Sequence, residues 1–257
     1  MERKRLLIRA SELYRERGED AKVAKTLGSL SDANRHLGLY EEGIRQAKEA
    51  LEIYIRLNDK SRQAKSWQRL AQLLFGDDQL DAAEEAISRA LDLLPDEGDQ
   101  FGVCKCHRLL GEIYQSKGET EKAIYHYEKA LETANSFNWH HEQFWNHFAL
   151  ARLFLGESRF DDAHAHVERA KLHAIDHTYH LGQAVQLRAR VWRREHRFEE
   201  AKFEILHAAH VFERVGAAKD LKRCRDTLRS IEREMERRSP PVSPWRLHYL
   251  LHMLISD

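Results

Sequence analysis

No run approaching the roughly 20 apolar residues that span a bilayer occurs in these 257 residues, so no membrane helix is read from the chain. The nearest stretch, Trp245 to Ile255, carries Arg246 and two histidines. The opening Met1-Glu2-Arg3-Lys4-Arg5-Leu6-Leu7-Ile8 turns polar too soon for a signal peptide. Cysteine is nearly absent: Cys104, Cys106 and Cys224 form neither a disulfide framework nor a Cys-x-x-Cys pair. A soluble protein of a reducing compartment, the cytoplasm, is therefore expected. Charge of one sign is lacking too, since 42 Lys and Arg balance 42 Asp and Glu, which leaves no long-range field to recruit nucleic acid. Only four prolines and twelve glycines interrupt a composition dominated by Ala, Leu, Glu, Arg and Lys, the usage of an all-α protein.

Catalytic motifs are missing as well. There is no Gly-x-x-x-x-Gly-Lys-Ser/Thr, and in the stretch from Gly98 to Lys105 the lysine has neither a glycine directly before it nor a hydroxyl residue after it. Sixteen histidines invite a metal reading, with His166, His173 and His177 near one face of a continued helix. No Cys or carboxylate completes a familiar ligand spacing, and His141-Glu142 lacks the second histidine of a zincin. Cys104 and Cys106, two apart on a predicted helix, face different directions, and one of them is expected in the core. Neither a cofactor nor a metal is expected, and the chain is read as a non-enzyme.

What is present is a repeat. Ala10, Ala50, Ala90, Ala130 and Ala170 recur at a step of 40, and Ala208 follows after 38. Gly43, Ala83, Ala123, Ala163 and Ala201 run seven residues ahead of that series, on the same helix face. Ser31, Ala71, Gly111, Ala151 and Ala189 form a third series twelve residues upstream of the second. Between the last two the chain turns, as in His36-Leu37-Gly38-Leu39 and Ser116-Lys117-Gly118-Glu119. Two helices per repeat follow, with small residues where the backbones cross at about 8 to 10 Å. Turns are placed near Gly38, Asp77, Gly118, Ser158 and His196, and about twelve helices are expected.

The unit running from Leu110-Gly111 through Tyr114, Gly118, Ala123 and Tyr127 to Ala130 resembles the tetratricopeptide repeat (TPR) family. Pro95, five residues after Ala90, stands where that family often ends a helix. Ser31, Asn34, Gly43 and Trp192 depart from the pattern, and the 40-residue step exceeds the usual 34, which is similar to the long-helix TPR variety. The later segments, Phe137 to His140, Phe160 to Ala163 and Arg197 to Ala201, resemble the C-terminal arrays of fungal signal-transducing NTPases. The resemblance implies a right-handed solenoid of antiparallel helix pairs. We read a half repeat at 1–17, five full repeats over about 24–213, a capping helix over about 218–237, and a Pro-rich linker with an apolar tail at 238–257. The half repeat leaves Leu6, Leu7 and Leu13 to be covered, either by more chain or by another molecule.

In such a solenoid the first helices of successive repeats line a concave groove. Twenty flanking positions fall there, among them Lys25, Gly28, Asp32, Arg35, Lys65, Gln68, Gln72, Phe75, Glu112, Gln115, Leu155, Gln183 and Gln186. Eight of the twenty are basic and two acidic. Lys65, Lys105, Arg108, Arg152, Arg190 and Arg193, with Trp145 and Phe148 as apolar anchors, are the candidate partner-binding residues. A solvated charged helix face would give the same count. The expected function is a protein-interaction scaffold or ligand-sensing repeat module that takes a protein or peptide, an acidic segment being favoured. Membership of a larger NTPase-containing protein or complex follows from the second resemblance. A nucleic-acid-binding helical repeat is the alternative, but RNA readers need matched polar pairs in every repeat and these positions do not recur in kind.

Overall fold

The computed structural model of the chain describes residues 2–94, 98–174 and 177–238. Pro95 and the apolar tail lie outside the described residues. Within them the chain is helical throughout, without a strand. The helices are α1 Glu2–Glu16, α2 Asp20–His36, α3 Tyr40–Arg56, α4 Lys60–Gly76, α5 Leu80–Leu93 and α6 Gln100–Lys117. They continue as α7 Thr120–Ser136, α8 His140–Gly156, α9 Phe160–Leu172, α10 Thr178–Arg194, α11 Phe198–Arg214 and α12 Ala218–Arg238. The chain divides into two compact units, Met1–Leu153 and Phe154–Asp257, with the boundary inside α8.

Nine of the helices end the same way, α5 and α9 being exceptions. Gly18, Gly38, Asn58, Asp78, Gly118, Asn138, Ser158, His196 and Gly216 all take a left-handed backbone, at φ between 51° and 77°. The next residue's N–H then bonds back five residues, as in Leu39 to the Asn34 carbonyl (2.9 Å), Glu119 to Tyr114 (2.9 Å) and Arg159 to Phe154 (2.9 Å). This closure satisfies carbonyls that a helix end would otherwise leave bare and reverses the chain within three residues.

The three small-residue series are buried, with the exception of Ala10, which is half-exposed. Their role is visible at Gly111, where an added Cβ would stand 2.6 Å from the Tyr127 ring. Tyr127 is fully buried and donates its hydroxyl hydrogen to Gln115 Oε1 at 3.0 Å, which ties α7 to α6. In the first unit a core runs through α3 to α6 around Leu73, Ile87, Leu110 and Ile113. In the second, Val185, Ile205 and Phe212 pack with Cys224 and Ile231 of α12, and Leu221, Leu228 and Met235 join them from the same stripe. At the other end α1 leaves Leu6 and Leu13 exposed.

Both Cys104 and Cys106 are buried, contrary to the expectation of one core cysteine. The reason is that α6 packs against α4 as well as α7. Cys104 points to the Ala130 carbonyl of α7 (3.3 Å), and Cys106 receives Gln68 Nε2 of α4 (2.9 Å). Burial raises both thiols to about 12, so neither is a thiolate at neutral pH. The Gln-to-Cys contact recurs in the second unit between Gln186 and Cys224, again 38 residues apart.

Candidate functional site

Two adjoining clefts open on the first unit. One, of about 670 Å³, is lined from α4, α6, α7 and α8 by Phe75, Lys105, Arg108, Glu112, Gln115, Tyr127, His141, Glu142, Trp145, Phe148 and Arg152. The other, of about 700 Å³, is lined by Asp32, Arg35, Lys65, Gln68, Arg69, Gln72, Asp99, Phe101, Lys105 and Arg108, among others. Lys105 and Arg108 belong to both. All six sequence-derived site residues of the first unit, Lys65, Lys105, Arg108, Trp145, Phe148 and Arg152, therefore line one or both clefts. They converge because positions three and four apart share a helix face, and α4, α6 and α8 each present that face.

The charge is less one-sided than the sequence count. Six cations line the clefts (Arg35, Lys65, Arg69, Lys105, Arg108, Arg152), facing four carboxylates (Asp32, Asp99, Glu112, Glu142). Arg108 donates from Nη1 to Glu112 Oε1 at 2.6 Å, and its Nε stands 3.5 Å from Glu142 Oε2. Burial would depress the Arg108 pKa, but Glu112 and Glu142 outweigh it and the net shift is upward. Arg69 Nε donates to Asp32 Oδ2 at 3.1 Å, and Lys65 lies 3.9 Å from Asp99. Lys105 sits over the Phe101 ring at 4.2 Å. Arg152 is exposed and has no carboxylate within ion-pair distance among the described residues. The cleft's apolar wall is made by Phe75, Trp145 and Phe148, with Trp145 and Phe148 edge to face at 5.9 Å. Trp145 Nε1 donates to His141 Nε2 at 3.1 Å.

The remaining sequence-derived positions lie differently. Gly28 is buried beneath the Arg69 guanidinium, where an added Cβ would meet Nη1 at 3.2 Å. Leu155 is a core residue. In the second unit Arg193 is engaged by Glu234 and Ser230 of α12, the latter at 2.8 Å, while Arg190 is exposed. Glu142, Arg69, Asp99 and Phe101 were not expected at the site. Glu142 did leave a signal: the 40-residue step places it in register with Lys22, Arg62, Gly102 and Gly182, so a carboxylate occupies a position that takes a cation or glycine in the other repeats. It is only 2% exposed.

No three His, Cys, Asp or Glu side chains converge as metal ligands among the described residues. His166 packs on Phe154 at 5.3 Å, and burial lowers its pKa to about 4. Elsewhere in the first unit, His107 and His126 meet Nδ1 to Nδ1 at 3.0 Å, with His126 stacked on Tyr114. One ring must donate and the other accept, so the contact requires at least one neutral imidazole. Burial lowers both pKa values, that of His126 to about 4; Lys129 adds to the effect on His107, and His107 and Lys122 to that on His126, where Glu84 opposes it. Because the folded pKa lies below the unfolded value near 6.5, the unfolded chain takes up protons first as pH falls. Stability is then full above that value and is lost as pH drops through it toward 4. Urea midpoints at pH 7.5 and 5 should differ, and His126→Gln should flatten the difference.

The family profile described as tetratricopeptide repeat matches residues 22–96 and 102–171, more than half of the chain. The chain belongs to the TPR family. The TPR fold is shared with solved structures at low identity. BtubC (BKLC) from P. vanneervenii gives a TM-score of 0.72 at 19% identity, covering 83% of this chain and 91% of that one. A Rap protein complexed with Competence and Sporulation Factor gives 0.62 at 14%, covering 91% and 72%. The TPR-like kinesin light chain repeats of Podosopora anserina give 0.61 at 13%, covering 76% and 97%. At these identities the likeness is one of fold. A search of curated proteins finds no match. No described helix of this TPR chain is long and apolar enough to cross a membrane.

Proposed function

We propose that this TPR chain is a protein-interaction scaffold that docks an extended or helical segment of a partner in the paired clefts of its first unit. The observation that carries this reading is the aromatic wall of Phe75, Trp145 and Phe148 beside Lys105 and Arg152, two cations without a carboxylate partner among the described residues. An apolar side chain of the segment packs on the wall, and its carboxylates face Lys105 and Arg152. Aromatics and arginine most often carry interface energy, so the wall is the anchor and the charges set encounter rate and selectivity. Support from fold comes from the Rap protein, which is complexed with Competence and Sporulation Factor. The likeness to fungal NTPase arrays supports a place for the module in a signalling protein. Nucleic acid is disfavoured, because the carboxylates at the clefts cancel most of the local positive charge.

A partner is found by selecting displayed peptides on the immobilised protein and reading the consensus. An acidic, apolar consensus is expected. Its binding should weaken with salt, be lost on reversing Lys105 and Arg152 to Glu together, and weaken in Trp145→Ala even at high salt. Undiminished binding by the double reversal, with helix content intact, would remove the clefts from the proposal.

A further inference from the structure

We infer that Glu112 is a built-in competitor at Arg108, holding the guanidinium edge that a carboxylate of the docked segment takes over. The inference rests on the docking reading above and deepens it. Arg108 is held from two sides of unequal accessibility. Its Nε edge faces Glu142, whose side chain is 2% exposed and belongs to the protein interior. Its Nη1 donates at 2.6 Å to Glu112, whose side chain is 31% exposed, lines the cleft and makes no other hydrogen bond among the described residues. A guanidinium has five donors in a fixed fork and can serve two carboxylates at once, so exchange of the outer one leaves the inner pair intact.

Glu112 is also the easier to displace. It pairs from one turn along the same helix, and an i,i+4 pair on an accessible face is among the weakest of ion pairs. The adjoining cleft also sets an arginine against an accessible carboxylate, with Asp32 of α2, itself 41% exposed, accepting from Arg69 Nε at 3.1 Å. In both clefts an arginine is thus pre-set in position by an accessible carboxylate of the protein itself. The free groove presents little net charge, and a partner without a carboxylate at the matching place cannot release the arginine. Glu112 is in this sense a selectivity residue.

The consequence has an unusual sign, because removing a charged groove residue should strengthen binding. The probe is a short fluorescein-labelled peptide of glutamate and leucine, followed by anisotropy at low ionic strength with the full chain. Glu112→Gln is expected to tighten binding about two- to fivefold. In an Arg108→Lys background the same change should give no gain, because a compact ammonium on Glu142 presents no outward fork. Should Arg108→Lys melt early, the combined Arg108→Gln and Glu142→Gln change, which removes both charges together, replaces it as background. Glu132→Gln, an exposed acid of α7 outside the clefts, serves as the control for general charge. An equal gain from Glu132→Gln, or from Glu112→Gln without Arg108, overturns the inference and leaves the docking reading standing. No gain from Glu112→Gln in a protein that binds the probe overturns it likewise. Failure of the unaltered protein and every variant to bind the probe overturns the acidic docking reading and this inference together.

Discussion

Replacing Tyr127 by Ala should lower the unfolding free energy by about 3 to 5 kcal/mol, the range for emptying a large buried aromatic site. Tyr127 is fully buried, its ring covers the place where Gly111 has no side chain, and its hydroxyl is bonded to Gln115. Because the ring fills the crossing of α6 and α7, both helices lose their spacer at one point. Repeat proteins couple mainly to nearest neighbours, so the loss should concentrate in α5 to α8. Tyr127→Phe removes only the hydroxyl and should cost about 0.5 to 1.5 kcal/mol. Urea denaturation gives the magnitudes, and amide exchange gives the location. A loss below about 1 kcal/mol for the alanine variant would mean that the ring does not fill this crossing.

Arg108→Met should destabilise by a similar amount, about 3 to 5 kcal/mol, for an electrostatic reason. Glu142 is 2% exposed and faces Arg108, with the His141 ring 3.5 Å from its Oε1. Taking Arg108 away leaves a buried carboxylate without its guanidinium, the costly way to break such a pair. Removing both charges at once, with Arg108→Met and Glu142→Gln, should recover most of the loss. Equal melting of the single and double variants would show that the pair is not coupled. The same geometry decides how binding is tested. Reversing Arg108 to Glu would set two carboxylates against each other in the interior, so loss of binding there would report on folding. Lys105 and Arg152, which carry no such internal partner, are the clean positions.

The sequence by itself determined the repeat, the helix count and the crossing residues. Small side chains at a fixed step reflect a local rule: where two helix backbones approach closely only Gly, Ala or Ser fits, so position alone encodes the contact. That is why Gly43 and Gly111 could be set at crossings from their spacing, and why the faces carrying Lys105, Arg108 and Trp145 could be named from helical periodicity. The tertiary structure alone decided which of those charges are free. Arg108 meets Glu142 from another helix 34 residues on, Arg69 meets Asp32 across 37, and Arg193 meets Glu234 across 41. Such pairs depend on side-chain reach between neighbouring helices, and no periodic rule fixes the identity of the partner. The fate of Cys104 and Cys106 followed the same logic, since burial on two sides of α6 comes from its having neighbours on both, which the amphipathic pattern of one helix does not record.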